Sequence, residues 1–329
     1  MQTIGIIGAG AWGTALATAV RRAGPEVILQ AHEPEVAEAI NKVRENTAFL
    51  PGVQLDDGIR ATTIMAKAID ADAVLLVAPA QFLRSACEAA KPHWKPGTPA
   101  IICAKGIEQN TFKLMSEVVS EVLGDTAPIA VLSGPTFAIE VARDMPTALT
   151  LACADENLGQ SLCETLSSRC FRTYYSNDVI GAQLGGAVKN VMAIACGIVE
   201  GRAMGDNARA ALVTRGLAEI ARLGNVLGAD EHTLMGLSGL GDLTLTCNAM
   251  QSRNFSLGVQ LGQGRKLSDI LAERKAVTEG VFTAAAVTEL ARRKHVDMPI
   301  CLAVDGVLNH GVDLDAIITG LLSRPLNVE

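Results

Sequence analysis

A glycine-rich turn near the amino terminus limits most strongly what this chain can fold into. Residues 8–13 read GAGAWG, a complete G-x-G-x-x-G that directly follows an apolar run and opens a helical pattern. In that setting the first glycine makes a tight turn, the second lets the backbone approach a pyrophosphate, and the third lets helix and strand pack closely. Gly8, Gly10 and Gly13 therefore predict a dinucleotide site at the amino end of the first helix.

The distribution of apolar runs predicts two domains. Nearly continuous apolar strands separated by helices are typical of a parallel sheet that is covered on both faces. After about Ser176 these runs fade, and helical patterns take over. We predict an α/β, Rossmann-like doubly wound sheet at 1–180 and an all-α domain at 181–329. The predicted strands lie at 3–7, 26–31, 73–78, 99–104, 128–132 and 147–153, and the clearest later helices at 181–199, 209–227 and 283–294.

Charge and composition exclude several classes of partner. The 329 residues contain 28 Lys+Arg and 35 Asp+Glu, for a net charge of −7. Nucleic acid is not expected, because neutralising phosphates requires clustered basic residues. Residues 2–20 are uncharged, but Arg21 and Arg22 follow rather than precede them and glycines interrupt them, unlike a signal peptide or a spanning helix. We expect a soluble cytoplasmic protein without stable membrane insertion.

The cysteines and histidines do not indicate a metal site. The eight cysteines form no C-x-x-C pair, and the five histidines form no H-E-x-x-H or similar cluster. Buried, reduced thiols in a cytosolic protein explain the cysteines, and we expect no metal.

The end of the second predicted strand bears on the choice between NADH and NADPH. A carboxylate at this position binds the ribose 2′-hydroxyl and repels a 2′-phosphate, but here the position is occupied by Ala31. His32 is able to donate to a phosphate, whereas Glu33 would oppose it. We expect NADPH as the cofactor, with NADH also usable.

Two lysines lie in settings that suit a functional amine. Lys105 follows the strand at 99–104, and ligands of doubly wound sheets bind beyond the carboxyl ends of the strands. Lys189 has no carboxylate three or four positions away on its helix, and the nearby Gly185 and Gly186 each cost about 1 kcal/mol relative to alanine. Asn190 is able to hold a substrate hydroxyl. The structural alternatives are a loop lysine at 105 and a snorkelling lysine at 189.

Two further clusters follow in the second half. Residues 236–242 form a glycine-rich bend that ends in Asp242. Ser252, Arg253 and Asn254 place a fixed cation beside two hydrogen-bonding side chains, which suits a phosphate dianion. Spacing alone does not bring these clusters together, and a helix connection and a solvated loop remain open for them.

Seven blocks, in order, resemble the bacterial-type NAD(P)-dependent sn-glycerol-3-phosphate dehydrogenases. The resemblance runs from residue 4 to about Pro299, nearly the whole chain. It implies reversible reduction of dihydroxyacetone phosphate to sn-glycerol 3-phosphate with NADPH or NADH, for glycerophospholipid synthesis, by a homodimer. The blocks are GAGAWGTALA (8–17), SGPTFAIEVA (133–142), GGAVKNVMAIACGI (185–198), GDNARAALVTRGL (205–217), GLSGLGDLTLTC (236–247), SRN (252–254) and the turn Thr278-Glu279-Gly280.

The resemblance also implies roles for individual residues. Phe49 replaces a frequent Tyr and loses a hydroxyl contact, whereas Thr136 replaces a frequent Ser and keeps the hydroxyl. The catalytic set is Lys189, Lys105 and Asp242. With Asn190 added from the argument above, the substrate set is Lys105, Gly134, Thr136, Lys189, Asn190, Asp242, Ser252, Arg253 and Asn254. The cofactor set is Gly8, Gly10, Ala11, Trp12, Gly13, His32, Phe49, Lys105, Ala138, Arg253, Val277 and Glu279.

Ketone reduction requires a hydride at carbon and a proton at oxygen, which suggests how these residues divide the work. We expect Lys189 to donate the proton, Lys105 to polarise the carbonyl, and Arg253 to fix the phosphate. Two neighbouring, partly desolvated lysines should lower the pKa of at least one of them, and Asp242 should oppose that shift.

Two other functions remain open. β-Hydroxyacid dehydrogenases also join a Rossmann domain to a helical domain with a catalytic lysine, but they act on a carboxylate. A non-catalytic dinucleotide-sensing protein would use the same glycine turn and would leave the later blocks unexplained.

Overall fold

A single eight-stranded sheet forms the first half of the chain in the computed structural model, which describes residues 1–274 and 277–324. The strand order is β3-β2-β1-β4-β5-β6-β7-β8, so the chain winds outward from β1 in both directions, as a doubly wound sheet does. The strands are β1 (Thr3–Ile7), β2 (Glu26–Gln30), β3 (Ile59–Thr62), β4 (Ala73–Leu76), β5 (Ala100–Ile102), β6 (Ile129–Ser133), β7 (Thr147–Cys153) and β8 (Phe171–Ser176).

The sheet is not wholly parallel, which corrects the sequence prediction. Strands β1 to β6 pair in parallel, but β7 runs antiparallel to β6, and β8 is parallel to β7. The loop between β6 and β7 contains only the five-residue helix Ala138–Ala142, too short for a crossover that returns the chain in parallel. Strands β3 and β8 were not predicted, because they form the edges of the sheet and carry exposed polar residues such as Arg60 and Arg172.

Helices cover both faces of the sheet. Two apolar clusters fill the spaces between sheet and helices, with Leu75 and Ile101 in one and Leu76 and Ile102 in the other. Alternate residues of a strand point to opposite faces, so each buried strand contributes to both clusters. The helices are α1 (Ala11–Ala23), α2 (Pro34–Val43), α3 (Met65–Ile69), α4 (Leu83–Ala90), α5 (Met115–Leu123), α6 (Ala138–Ala142) and α7 (Glu156–Leu166).

The second half of the described chain is built around one buried helix, α8. A third apolar cluster surrounds it, and the surrounding helices supply that cluster. The helices of this half are α8 (Val179–Gly201), α9 (Asp206–Leu227), α10 (Glu231–Met235), α11 (Asp242–Cys247), α12 (Arg253–Gly262), α13 (Leu267–Ala272), α14 (Glu279–Arg293), α15 (Pro299–Asn309) and α16 (Leu314–Leu322).

Helix α8 is also the one helix of the described residues long and apolar enough to cross a membrane. Of its most apolar 18-residue stretch, 89% is buried inside the protein, which identifies α8 as a core helix. Gln183 on α8 exchanges hydrogen bonds with Ser116 at the start of α5, so α8 also ties the helical half to the sheet.

Candidate active site

The glycine turn lies where β1 ends, at the edge of the sheet where the carboxyl ends of β1 to β6 meet. Gly8 has φ +109°, a conformation that L-residues rarely adopt. A side chain at Gly13 would overlap the carbonyl oxygen of Gly8, so this glycine lets α1 pack against the turn. A Cβ at Gly10 would meet no described atom within 4 Å. Folding therefore does not require glycine at position 10, and approach of a ligand is the remaining reason for it.

The first turn of α1 suits an anion. Gly10 is the N-cap residue, no described side chain caps the helix, and the first turn contains no acidic residue. Its N–H groups and the helix dipole therefore face the open space beside Gly10, and Ala11 and Trp12 begin the helix there. This arrangement fits the pyrophosphate of a dinucleotide.

Asn46 was not predicted and supports the turn. Its buried amide donates to the carbonyl of Ala9 over 2.9 Å and to the Thr14 hydroxyl over 2.8 Å. Its Oδ1 accepts the backbone N–H of Phe49 over 3.1 Å. Asn46 thereby fixes the half-exposed Phe49 loop against the glycine turn. Asparagines are common in loops, so nothing in the position of Asn46 along the sequence indicated that it would bind the glycine turn.

The end of β2 lacks a carboxylate at the position that discriminates between the two dinucleotides. Ala31 is fully buried there, and its N–H donates to Thr62. His32 and Glu33 follow it on the surface. An exposed imidazole beside an exposed carboxylate leaves both cofactors compatible with the site.

Lys105 extends from the end of β5 toward the helical half. Its Nζ donates to the Gly134 carbonyl over 2.9 Å and to Asp242 Oδ2 over 2.6 Å, and its side chain is 16% exposed. Thr136 donates to the same Gly134 carbonyl over 3.3 Å, and Ala138 begins α6 just beyond. The ends of β5 and β6 thus bring these predicted residues to one place.

Lys189 lies on the face of α8 that looks toward this edge. Its Nζ donates to Asp242 Oδ1 over 2.6 Å and to the Thr246 hydroxyl over 2.7 Å. A Cβ at Gly185 would lie 2.5 Å from the carbonyl oxygen of Ser238, and one at Gly186 would lie 2.7 Å from Ser133 Oγ. The two mid-helix glycines thus let the backbone at Ser238 and the side chain of Ser133 approach α8.

Asp242 joins the two lysines. It follows a π-helical turn at Leu237–Gly241 and begins α11, and its side chain is 1% exposed. One carboxylate oxygen accepts from Lys105 and the other from Lys189. A buried carboxylate requires such compensation, because an unpaired buried charge is strongly destabilising.

The pKa of Lys189 is shifted in the expected direction. Burial lowers it from 10.5 to about 8; Asp242 opposes the shift, and Lys105 adds to it. Because a catalytic acid works best when its pKa is near the working pH, this value suits proton transfer.

Thr246 was also not predicted. It lies one helical turn after Asp242, so both side chains point to the same face of α11. Its hydroxyl donates to the Asp242 carbonyl over 2.6 Å while it accepts from Lys189. The four-residue spacing between Asp242 and Thr246 is visible in the sequence and could have predicted that they lie on one face of a helix.

The Ser252-Arg253-Asn254 cluster begins α12, and its three side chains have different surroundings. Ser252 is the N-cap residue, and its Oγ accepts the N–H of Phe255 over 3.2 Å. The Arg253 side chain is exposed at the start of the helix. Asn254 is buried and bonded to Asn190 and Gly280. A cation at a helix amino terminus fits a phosphate.

Glu279 reaches from α14 to the loop after β4. Its Oε1 accepts the Ala80 N–H over 3.1 Å, whereas its buried Oε2 has no hydrogen-bond partner among the described residues. Burial raises the pKa of Glu279, whereas the hydrogen bond from Ala80 and the charge of Arg253 lower it.

Ser133 Oγ is likewise buried without a hydrogen-bond partner in the described part of the chain. Val277 lies half-buried just before α14. Such unpaired polar atoms fit a polar ligand group.

The residues predicted for substrate and cofactor therefore lie on the side of the sheet where the carboxyl ends of β1 to β6 meet, from the glycine turn to α14. Residues 1–274 and 277–324 contain no cluster of three His, Cys, Asp or Glu side chains able to hold a metal ion. What they do form is a polar site with two amines on one carboxylate.

Comparison with known proteins gives consistent matches over both halves. The family model described as the N-terminus of NAD-dependent glycerol-3-phosphate dehydrogenase matches residues 3–159, and the model of its C-terminus matches residues 178–319. Glycerol-3-phosphate dehydrogenase (NAD(P)+) of Rhodospirillum rubrum is 60% identical, covering 99% of this chain and 93% of that protein. The enzyme of the same name from Caulobacter vibrioides is 55% identical, covering 100% and 99%.

A solved structure agrees with these sequence matches. The crystal structure of glycerol-3-phosphate dehydrogenase from Coxiella burnetii superposes with a TM-score of 0.94 at 36% identity, covering 98% of this chain and 99% of that one. The resemblance seen in the sequence blocks is confirmed over nearly the whole length. This chain belongs to the NAD-dependent glycerol-3-phosphate dehydrogenase family.

Proposed function

We propose that this protein is an NAD(P)-dependent sn-glycerol-3-phosphate dehydrogenase that reduces dihydroxyacetone phosphate reversibly, for glycerophospholipid synthesis. The observation that carries the proposal is the shared carboxylate of Asp242, which holds the amines of Lys105 and Lys189 at the same end of the parallel strands as the glycine turn. Family membership supplies the substrate class, and the exposed Arg253 at the start of α12 supplies a cation for its phosphate.

The two lysines have different roles in this proposal. A bound NAD(P)H supplies the hydride. Lys189, with its pKa of about 8, donates the proton to the substrate oxygen, and Lys105 polarises the carbonyl from the other side of Asp242. Asp242 keeps both amines in place, and Thr246 limits the rotation of the Lys189 amine.

Binding of the phosphate positions the ketone. Arg253 and the amino end of α12 lie on the helical half, and Gly134 and Thr136 on the sheet half. Energy from binding a non-reacting phosphate is available for orienting the reacting carbonyl. The dinucleotide contacts are assigned to Gly8, Gly10, Ala11, Trp12, Gly13, His32, Phe49, Lys105, Ala138, Arg253, Val277 and Glu279.

Initial-rate measurements test the proposal directly. Dihydroxyacetone phosphate should be reduced with NADPH and more slowly with NADH, because no carboxylate occupies the position of Ala31. A β-keto carboxylate serves as the competing substrate. Preference for the carboxylate would support a β-hydroxyacid dehydrogenase, and NADPH binding without turnover of either substrate would support a dinucleotide sensor.

We infer further that the enzyme acts as a cytoplasmic homodimer. The apolar helix α16, with the sequence LDAIITGLL, has no fully buried residue, and Leu302 on α15 is 59% exposed. Apolar surface of this kind commonly marks an association site. Light scattering during gel filtration should give twice the mass of one chain, and Leu302→Glu should reduce that mass.

The division at residue 180 is part of the same proposal. Residues 1–180 would bind the dinucleotide and 181–329 would supply Lys189 and the phosphate site, since β8 ends at Ser176 and α8 begins at Val179. Amide hydrogen exchange with NADPH alone should show protection concentrated before residue 180.

A further inference from the structure

The side-chain amide of Asn46 holds one peptide group of the glycine turn. Its Nδ2 donates to the carbonyl oxygen of Ala9 over 2.9 Å, and Asn46 is 1% exposed. Among the described residues, this is the one hydrogen bond that the Ala9 carbonyl accepts. The second N–H of the same nitrogen donates to Thr14 Oγ1, and Oδ1 accepts the N–H of Phe49. Both N–H groups of the amide are therefore used within the protein.

The partners of Asn46 determine which way its amide faces. A backbone carbonyl only accepts hydrogen bonds, so the nitrogen of the amide must face Ala9. A backbone N–H only donates, so the oxygen must face Phe49. Both requirements agree, and the Ala9 carbonyl is thereby held on the buried side of the turn.

The peptide bond transmits this orientation to Gly10. In a trans peptide group the C=O and the following N–H point in opposite directions. Because the Ala9 carbonyl points toward Asn46, the Gly10 N–H points away from it. Gly10 is exposed, and its N–H has no hydrogen-bond partner among the described residues. This N–H is therefore available to an anion beside the first turn of α1.

Glycine at position 10 gives this orientation a reason to be held. Gly10 has φ −71°. Turning the Ala9–Gly10 peptide group over would give Gly10 a positive φ, which a residue without a Cβ adopts readily. Packing does not oppose the rotation either, because a Cβ at Gly10 would meet no described atom within 4 Å. The turned peptide group would present an acceptor to a phosphate instead of a donor.

Within the dinucleotide binding proposed above, we propose that Asn46 is a positioning residue that keeps the Gly10 N–H directed toward the diphosphate of the cofactor. Asn46 acts through the peptide group of Ala9 and Gly10, because its own N–H groups are bound within the protein. The affinity for a diphosphate should therefore depend on Asn46, whereas proton transfer at Lys189 should not.

Competitive inhibition by ADP and by adenosine, each measured against NADPH, tests this role. ADP carries the diphosphate, and adenosine lacks it. Asn46→Ala should raise the inhibition constant of ADP about 10- to 100-fold, the loss of one hydrogen bond to a charged group, and that of adenosine less than about 3-fold. At saturating NADPH, kcat should stay within about 3-fold of the wild type, because the affected contact contributes to binding.

Thr14→Val is the matched control. Valine keeps the shape of threonine but removes the acceptor, so one N–H of Asn46 loses its partner while the bond to Ala9 remains. Both variants leave buried polar groups unpaired, so the melting temperature should fall in both. The inhibition constant of ADP should change only in Asn46→Ala. Should that variant fail to fold, Asn46→Asp keeps an acceptor for Phe49, presents an oxygen to Ala9 and should give the same selective loss.

The outcomes separate this inference from the function on which it rests. A loss of affinity for ADP that adenosine and Thr14→Val do not share supports it. Unchanged inhibition by ADP, equal losses for ADP and adenosine, or the same loss in Thr14→Val would overturn it and leave the dehydrogenase function intact. A wild-type chain that neither binds NADPH nor reduces dihydroxyacetone phosphate would instead refute the dehydrogenase function.

Discussion

Lys189 and Asp242 form a 2.6 Å ion pair in which the lysine side chain is 9% exposed and the carboxylate 1%. The two residues are 53 positions apart in the chain. Asp242 also holds Lys105, so this pair connects the helical half to the sheet edge.

Lys189→Ala should lower kcat for dihydroxyacetone phosphate by about 10²- to 10⁴-fold, the range for losing a general acid. Steady-state kinetics with NADPH measure the loss. Arg253→Lys is the comparison, because lysine keeps the charge but loses the planar fork of donors. It should mainly raise KM. A normal kcat in Lys189→Ala, or a collapsed kcat with normal KM in Arg253→Lys, would refute the division of roles.

The pH profile should report the Lys189 amine. Reduction needs its protonated form, so kcat/KM should fall as the pH rises through about 8, whereas oxidation of glycerol 3-phosphate should rise over the same interval. Asp242 raises the pKa of Lys189, so Asp242→Asn should move the alkaline fall to lower pH. A profile whose alkaline limb does not move would exclude Lys189 as the titrating group.

The three glycines of the turn should differ in what they support. Gly10→Ala should leave the melting temperature within a few degrees of the wild type, because its Cβ meets no described atom within 4 Å. It should nevertheless weaken NADPH binding at least tenfold, measured by fluorescence titration.

Gly13→Ala is the structural control, because its Cβ would overlap the Gly8 carbonyl oxygen. This variant should unfold at markedly lower temperature even without ligand. If Gly10→Ala and the wild type bind NADPH with equal affinity, the prediction that the pyrophosphate binds at this turn is wrong.

A buried carboxylate away from the site should make stability depend on pH. Glu219 on α9 accepts the N–H groups of Ile300 and Cys301 at the start of α15, and burial raises its pKa to about 7 despite those bonds. The folded protein then binds a proton more tightly than the unfolded chain between about pH 4.5 and 7. The contribution of this group to stability is therefore lost as the pH rises through that interval.

Glu219→Gln removes that titration. The free energy of unfolding of the wild type minus that of the variant should fall as the pH rises from 5 to 7.5, by about 2 to 3 kcal/mol. Urea unfolding at both pH values measures it. A difference that is constant with pH would show that Glu219 keeps one protonation state.

Local patterns predicted the glycine turn, most of the central strands and the long helices. Strand β1 has the predicted limits, and α8 extends the predicted helix by two residues at each end. The antiparallel β7 was missed, because direction within a sheet depends on how the connecting chain is routed. Thr246 was missed although its spacing from Asp242 was visible, and Asn46 was missed because its partners lie more than 30 positions away.

The sequence by itself determined the glycine turn, the division into sheet and helices, and the family, because these depend on short-range periodicity, backbone conformation and contiguous blocks. Only the tertiary structure decided that Lys105 and Lys189 share Asp242, and that Asn254 bonds to Asn190. Lys105 and Asp242 are 137 positions apart, and Asn190 and Asn254 are 64 apart. The packing of α8 against the sheet, α11 and α12 creates these pairs, and no local preference of the chain encodes them.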